Sequence, residues 1–309
     1  MKKSLAFAAL LLTAAPVCVP ACAQARTRVF VSMARVDPFL SLIRDSLQAE
    51  AAKNPDLDMT IAVANDQVDT QLSQVKAAIA DHTDVLVVLS VDDNAARQLA
   101  AASAASKTPL VYLNVLPPID RFTTPTSIVA SNDLVAGRLQ MRLLADKIGN
   151  KGNVVILRGA DSHPAARDRT AGVKEILAQR PDIHVVGDVS CDWKRDEAEK
   201  QVTAWLQSGV HIDAIAANND EMALGAIAAL QKAGYPAGKV AVGGVDGTAA
   251  GLAAIKSGYL TMSLLQNARE QAAEAMADVK KLAQGQYAQL YDWVPYEIII
   301  PSNLATFEH

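Results

Sequence analysis

Aromatic side chains are scarce in this chain and cysteine is scarcer: Phe, Trp and Tyr make up 5% of 309 residues, against three cysteines. Cys18 and Cys22 lie near the start and Cys191 stands far from both. If the first two leave with a cleaved leader, no intrachain disulfide can form, and a lone thiol is more often inert than redox-active. An excess of positive charge is also missing. The formal net charge is −4, and it becomes more negative once Lys2 and Lys3 are removed, which leaves no electrostatic case for nucleic acid. His82, His163, His184, His211 and His309 are scattered, without the close pairing of a metal site. Gly243-Gly244-Val245-Asp246-Gly247 lacks the spacing of a dinucleotide fingerprint and has no Lys-Ser or Lys-Thr after it. No Gly-x-Ser-x-Gly elbow is present either. These absences predict a protein that is not an enzyme and carries neither cofactor nor metal.

Long apolar runs are missing after the first residues. The start itself reads as an export signal: Met1-Lys2-Lys3 is cationic, Leu5 to Leu12 is apolar, and Ala21-Cys22-Ala23 supplies small residues ahead of a cleavage point before Gln24. The run falls short of the roughly 20 residues that span a bilayer. Residues 1–23 are therefore predicted to be a signal peptide and the mature protein to be periplasmic. Val19-Pro20-Ala21-Cys22 leaves lipidation at Cys22 as a second outcome, although Pro20 fits that processing poorly.

What is present is aliphatic. Hydrophobic residues make up 50% of the chain, dominated by Ala, Val, Leu and Ile, as suits parallel strands covered by helices on both faces. The mature length exceeds what one core usually supports, so two domains are expected. Strand-like runs at 28–32, 60–64, 84–89, 110–113 and 127–130 alternate with helical patterns at 38–53, 70–80 and 94–106. A helix from about 132 to a Gly149 stop follows. A second series places strands at 154–157, 184–186, 214–216, 240–242, 260–265 and 296–300, with helices at 164–179, 195–208, 221–233, 248–256 and 268–282. The class is α/β, with two lobes and more than one crossing between them.

Two of these strands stop on polar side chains. Ala214-Ile215-Ala216 runs into Asn218-Asn219-Asp220-Glu221, and Val240-Ala241-Val242 into Gly244-Val245-Asp246. In open α/β folds that edge is where ligands bind. Asp246 and Asp220 could instead cap the helices that follow them. Arg167 and Arg169 could be solvated charges at a helix start, a reading that fits Arg169 better than Arg167. Phe39 could be simple core.

The chain resembles the ribose-type periplasmic sugar-binding proteins that feed ATP-driven importers. The likeness is carried by Asn219-Asp220-Glu221-Met222-Ala223-Leu224-Gly225-Ala226, Gly244-Val245-Asp246-Gly247-Thr248, Ala165-Ala166-Arg167-Asp168-Arg169 and Asp37-Pro38-Phe39-Leu40. It implies the type I binding-protein architecture, two Rossmann-like lobes joined by a three-strand hinge. The lobes would comprise residues 24–131 plus 267–293 and 132–266 plus 294–309. It also implies a polar ligand between the lobes, contacted from the positions of Asp37, Phe39, Arg167, Trp193, Asn219, Asp246 and Gln266.

Carboxylates, guanidinium and amides can together saturate a ring of hydroxyls, and aromatic rings can cover its C–H faces. Val31-Ser32-Met33-Ala34-Arg35 and Asp192-Trp193-Lys194-Arg195 resemble the branch that binds inositol and its amine derivative rhizopine. Asn114-Val115 stands where the ribose-type pattern has Asp-Arg, which shifts recognition toward Arg35, Asn114 and Asn132. The partners implied are a sugar or cyclitol and the permease and ATPase of an ABC importer, with the protein itself a monomer. An aldose ligand, or a role presenting ligand to a chemoreceptor or kinase, stays open.

Overall fold

Strand β1 (Thr27–Met33) and helix α1 (Pro38–Ala52) open an alternation in the computed structural model, which describes residues 26–308. The leader expected over 1–23, with Cys22, lies outside the described residues. The alternation continues through β2 (Leu57–Val63), α2 (Val68–Ala80), β3 (Val85–Leu89), α3 (Asp93–Ser106), β4 (Leu110–Asn114) and β5 (Thr126–Ala130). A second series follows: α4 (Asp133–Lys147), β6 (Gly152–Arg158), α5 (Pro164–Leu177), β7 (Ile183–Ser190), α6 (Arg195–Gln207), β8 (Ala214–Ala217), α7 (Asp220–Lys232), β9 (Ala241–Gly243) and α8 (Ala249–Lys256). The chain finishes with β10 (Ser263–Leu265), α9 (Ala268–Ala283), β11 (Tyr291–Trp293) and β12 (Glu297–Ile299).

The strands sort into two separate sheets. One has the order β11-β5-β4-β3-β1-β2, with every neighbouring pair parallel. The other has the order β7-β6-β8-β9, also parallel. Beside it β10 and β12 form an antiparallel pair, which single bridges from Gly243 to Met262 and from Asp246 to Leu265 attach to the β9 edge. All residues of β3, β4, β5 and β8 are buried, as strands sandwiched between helical layers must be.

Each sheet is covered on both faces. α1 and α9 pack on one face of the first sheet through Ile43, Leu47, Ala272, Met276 and Val279, and Val75 and Leu99 of α2 and α3 cover the other. In the second sheet, Val202, Met222, Leu230 and Ile255 lie on one side and Met141, Leu144, Val173 and Ile176 on the other. Each fully buried aliphatic side chain of this kind contributes about 1.5–3 kcal/mol relative to exposure. Cys191 belongs to this second core, and burial pushes its thiol up to about 11.

The chain passes between the sheets through Ser131 and Asn132, through Gln266 and Asn267, and through Val294 to Tyr296. One strand has no counterpart in the sequence reading. β11 is three residues long and mostly exposed, so it lacks the apolar run that marks the others. It adds to the β5 edge and brings the last stretch of chain back to the first sheet.

Candidate functional site

In both sheets the first strand has its next two neighbours in the chain on opposite sides, so the strand order reverses there: β1 lies between β2 and β3, and β6 between β7 and β8. Such switch points leave a crevice at the carboxyl ends of the strands. The two crevices face each other, and between them lies a narrow void lined from both sides, about 470 Å³ when its open mouth is included.

The first lobe supplies Arg35, Asp37, Phe39, Ser90 and Asn114 to the wall. Asp37 caps α1, accepting from the Leu40 amide at 2.7 Å, and its other oxygen accepts from Arg35 Nε at 3.1 Å. Arg35 also pairs with Asp66 at 3.3 Å, and its guanidinium lies 5.8 Å from the centre of the Trp193 ring in the opposite lobe. Phe39 is both core and wall, since it packs with Leu40 and Ile43 and also borders the void. Asn114 donates to Gln271 Oε1 at 3.2 Å.

His163, Arg169, Trp193, Asn219, Asp246 and Gln266 form the opposite wall. Arg169 is buried and four of its N–H groups are held: Nε by Asp133 at 2.7 Å, Nη1 by the Asn218 carbonyl at 2.6 Å, and Nη2 by Gln266 Oε1 at 3.1 Å and the Tyr296 hydroxyl at 2.9 Å. Desolvation disfavours its charge, but Tyr296, Asp133 and Asp246 outweigh that and raise its pKa further. Asp246 Oδ1 is 3.9 Å from Arg169 Nη1, too far for a hydrogen bond. Desolvation raises the Asp246 carboxyl well above the ordinary range, although Arg169 pulls it down. Trp193 Nε1 and Ser90 Oγ are buried without a hydrogen-bond partner. Residues lining the void thus carry a carboxyl, an indole N–H and a hydroxyl that the protein leaves without hydrogen-bond partners, an arrangement suited to a ligand rich in hydroxyls.

Backbone strain is concentrated here. Asn114, Trp193 and Asp246 have φ of 72°, 65° and 120°, a region in which residues with a Cβ are uncommon and a bulky one is an outlier. Asp246 is held in place by its neighbours, its amide donating to Leu264 O at 2.8 Å and its carbonyl accepting from Gln266 N at 3.2 Å. Trp193 lies against Gly159, where any Cβ would fall on the indole ring.

Two expected contacts lie elsewhere. Asn132 caps α4, accepting from the Val135 amide at 3.1 Å, and is exposed. Arg167 is 46% exposed and reaches across to Asp93 of α3, Nη2 to Oδ2 at 2.9 Å, so it bridges the lobes outside the void. Helical geometry accounts for the exchange: at about 100° per residue, positions 167 and 169 point to nearly opposite sides of α5, and the inner side carries Arg169. The capping readings sort in the same way. Asn219 caps α7 and Thr248 caps α8, whereas Asp246 caps nothing. Asp220 lies buried beneath the site and accepts from the Thr248 amide at 2.8 Å, the Thr248 hydroxyl at 2.9 Å and the Ser263 hydroxyl at 2.6 Å.

Sequence reasoning passed over Ser90, and weighed His163 only as a metal ligand. His163 caps α5 with Nδ1, 3.3 Å from the Ala165 amide, and stands edge-on to Trp193 with ring centroids 5.3 Å apart. Burial, reinforced by Arg35 and Arg169, lowers its pKa to about 3, which keeps it neutral. His-Pro at a helix start was the available signal. Among the described residues, no group of three or more His, Cys, Asp or Glu is placed to hold a metal ion, and no helix is long and apolar enough to cross a membrane.

Residues 28–287 match the periplasmic binding protein domain family. A protein of Rhizobium meliloti named for rhizopine binding is 36% identical over 299 residues, 96% of each chain. The xylitol-binding protein of Mycolicibacterium smegmatis is 32% identical over 262 residues, 84% of this chain and 73% of that one. Among solved structures, an ABC transporter solute-binding protein from Bacillus halodurans with bound myo-inositol superposes with a TM-score of 0.88 at 32% identity, covering 92% of this chain and 98% of that one. The alternation of strands and helices, the facing crevices and these likenesses agree: the chain belongs to the periplasmic binding protein family.

Proposed function

We propose that this protein captures a cyclic polyol of the inositol type between its two lobes in the periplasm and delivers it unchanged to the permease of an ABC importer. The observation that carries the reading is the void between the facing strand edges, where Asp246, Trp193 Nε1 and Ser90 Oγ have no hydrogen-bond partner in the protein beside the charged Arg169. A ring of hydroxyls satisfies acceptors and donors alike, and Trp193 and Phe39 cover its apolar faces. Contacts are assigned to Arg35, Asp37, Phe39, Asn114, Arg169, Trp193, Asn219, Asp246 and Gln266, with His163 and Ser90 added.

The moving bodies are residues 24–131 with 267–293 and residues 132–266 with 294–309, and the protein works as a monomer. Ligand binds both bodies only when they are closed, so binding shifts the population toward the form that the permease recognises. Relatives named for rhizopine and xylitol, and a similar structure holding myo-inositol, support the cyclitol class.

A thermal-shift panel of inositols, pentoses, hexoses and alditols tests it. Inositols are expected to raise the melting temperature most. A clear shift with an aldose and none with inositols would reassign the ligand. Export is checked by sequencing the mature amino terminus, expected near Gln24, or by finding a lipid on Cys22.

A further inference from the structure

Arg169 is held less by the void than by the passages between the lobes. Of its five N–H groups, four bond within the protein, and three of those partners belong one to each crossing. Asp133 directly follows the first, Gln266 opens the second and Tyr296 closes the third. Gln266 borders the void, while Tyr296 stands behind Arg169 and does not.

We propose, resting on the polyol-binding reading, that Tyr296 is a positioning residue for Arg169, through which the third crossing is mechanically tied to ligand contact. Its hydroxyl accepts from Arg169 Nη2 at 2.9 Å and donates to Asp133 Oδ1 at 2.7 Å, while Asp133 Oδ1 also accepts from Arg169 Nε at 2.7 Å. The three groups close a triangle that only a side chain both donating and accepting can complete. The Tyr296 ring centre lies 5.9 Å from the guanidinium carbon, which meets the ring at its hydroxyl end, so the hydrogen bonds do the orienting. Desolvation keeps this hydroxyl protonated by raising its pKa well above the usual value. One N–H of Arg169 is left, on the Nη1 atom nearest Asp246. Rotation of the lobes turns the third crossing, and the triangle passes that motion to this last N–H.

The test compares Tyr296→Phe in two backgrounds, wild type and Arg169→Lys, by calorimetric titration with myo-inositol. In the wild-type background the variant is expected to weaken binding about tenfold, the size of one charge-assisted hydrogen bond. In the Arg169→Lys background, where the fork is gone, it should cost less than about twofold, because a residue that acts through Arg169 has nothing left to position. Equal losses in both backgrounds, or no loss in wild type, would overturn the proposal.

A ligand-free measurement decides the matter if binding by Arg169→Lys is too weak to titrate. Arg169 lies 5.8 Å from the centre of the Trp193 ring, so displacing it alters the tryptophan emission. Tyr296→Phe should change the emission spectrum, and the change should vanish when Trp193 is replaced by Phe. An unchanged spectrum, or a change that persists without Trp193, would count against positioning. A wild-type protein that binds no polyol or sugar would defeat the proposed function alone, and the emission result would still judge the triangle.

Discussion

At the scale of single residues the cleft sets charge against burial. Arg169 keeps its charge because three neighbours oppose the desolvation of its site, and Asp246 meets it without a hydrogen bond. Replacing either by Ala is expected to weaken polyol binding by about 1.5–3 kcal/mol, roughly 10- to 150-fold in affinity by calorimetry. His163 gives a dependence on acidity. Its folded pKa of about 3 lies below the unfolded value, so the unfolded chain binds the proton first and stability falls as pH drops from 6.5 toward 3. Asp220 acts with the opposite sign. Burial raises its carboxyl to about 6, so its contribution is fully present below pH 4 and is lost as pH rises through 6. Between about pH 4 and 6 the two oppose each other, so melting curves are expected to show stability falling more steeply with rising pH in His163→Asn and rising more steeply with pH in Asp220→Asn. Residue roles were the part least legible in the sequence. Asp246 and Trp193 were marked by polar neighbours after apolar strands, but Arg167 and Arg169 look alike until the helix phase separates them.

Among the elements, α5 decides whether that phase is kept. It packs against α4 at a pair of glycines, where a Cβ on Gly137 would fall on the Arg169 carbonyl and one on Gly172 on the Leu134 carbonyl. Gly137→Ala is expected to lower stability by about 1–3 kcal/mol, read from denaturant titration, and to weaken ligand binding as well because α5 carries Arg169. The elements themselves were largely legible. Fully buried strands such as β3 and β4 are continuous apolar runs, and helices such as α1 show their period through Phe39, Leu40, Ile43 and Leu47. β11 was not legible, because Tyr291 and Trp293 face solvent and stack on each other at 5.8 Å. Its place depends on the free edge of β5, which is a property of the tertiary fold.

For the whole molecule, the contact between Arg167 and Asp93 joins the two lobes, since each residue comes from a different one, and would favour the proposed closed form. An ion pair this exposed contributes about 0.2–1 kcal/mol. Arg167→Ala is therefore expected to weaken ligand binding by no more than about fivefold, with the difference from wild type shrinking at high salt and an Arg167→Asp, Asp93→Arg exchange restoring most of it. A loss as large as that of Arg169→Ala would show direct ligand contact instead.

The return of the last stretch of chain to both sheets also governs the order of assembly. The α1 face of the first sheet is completed by α9, and its β5 edge by β11, both from beyond residue 267. β12 meanwhile pairs with β10 beside the second sheet. Neither half can therefore finish folding before nearly the entire polypeptide is available, so the two lobes are expected to gain their final structure together and late.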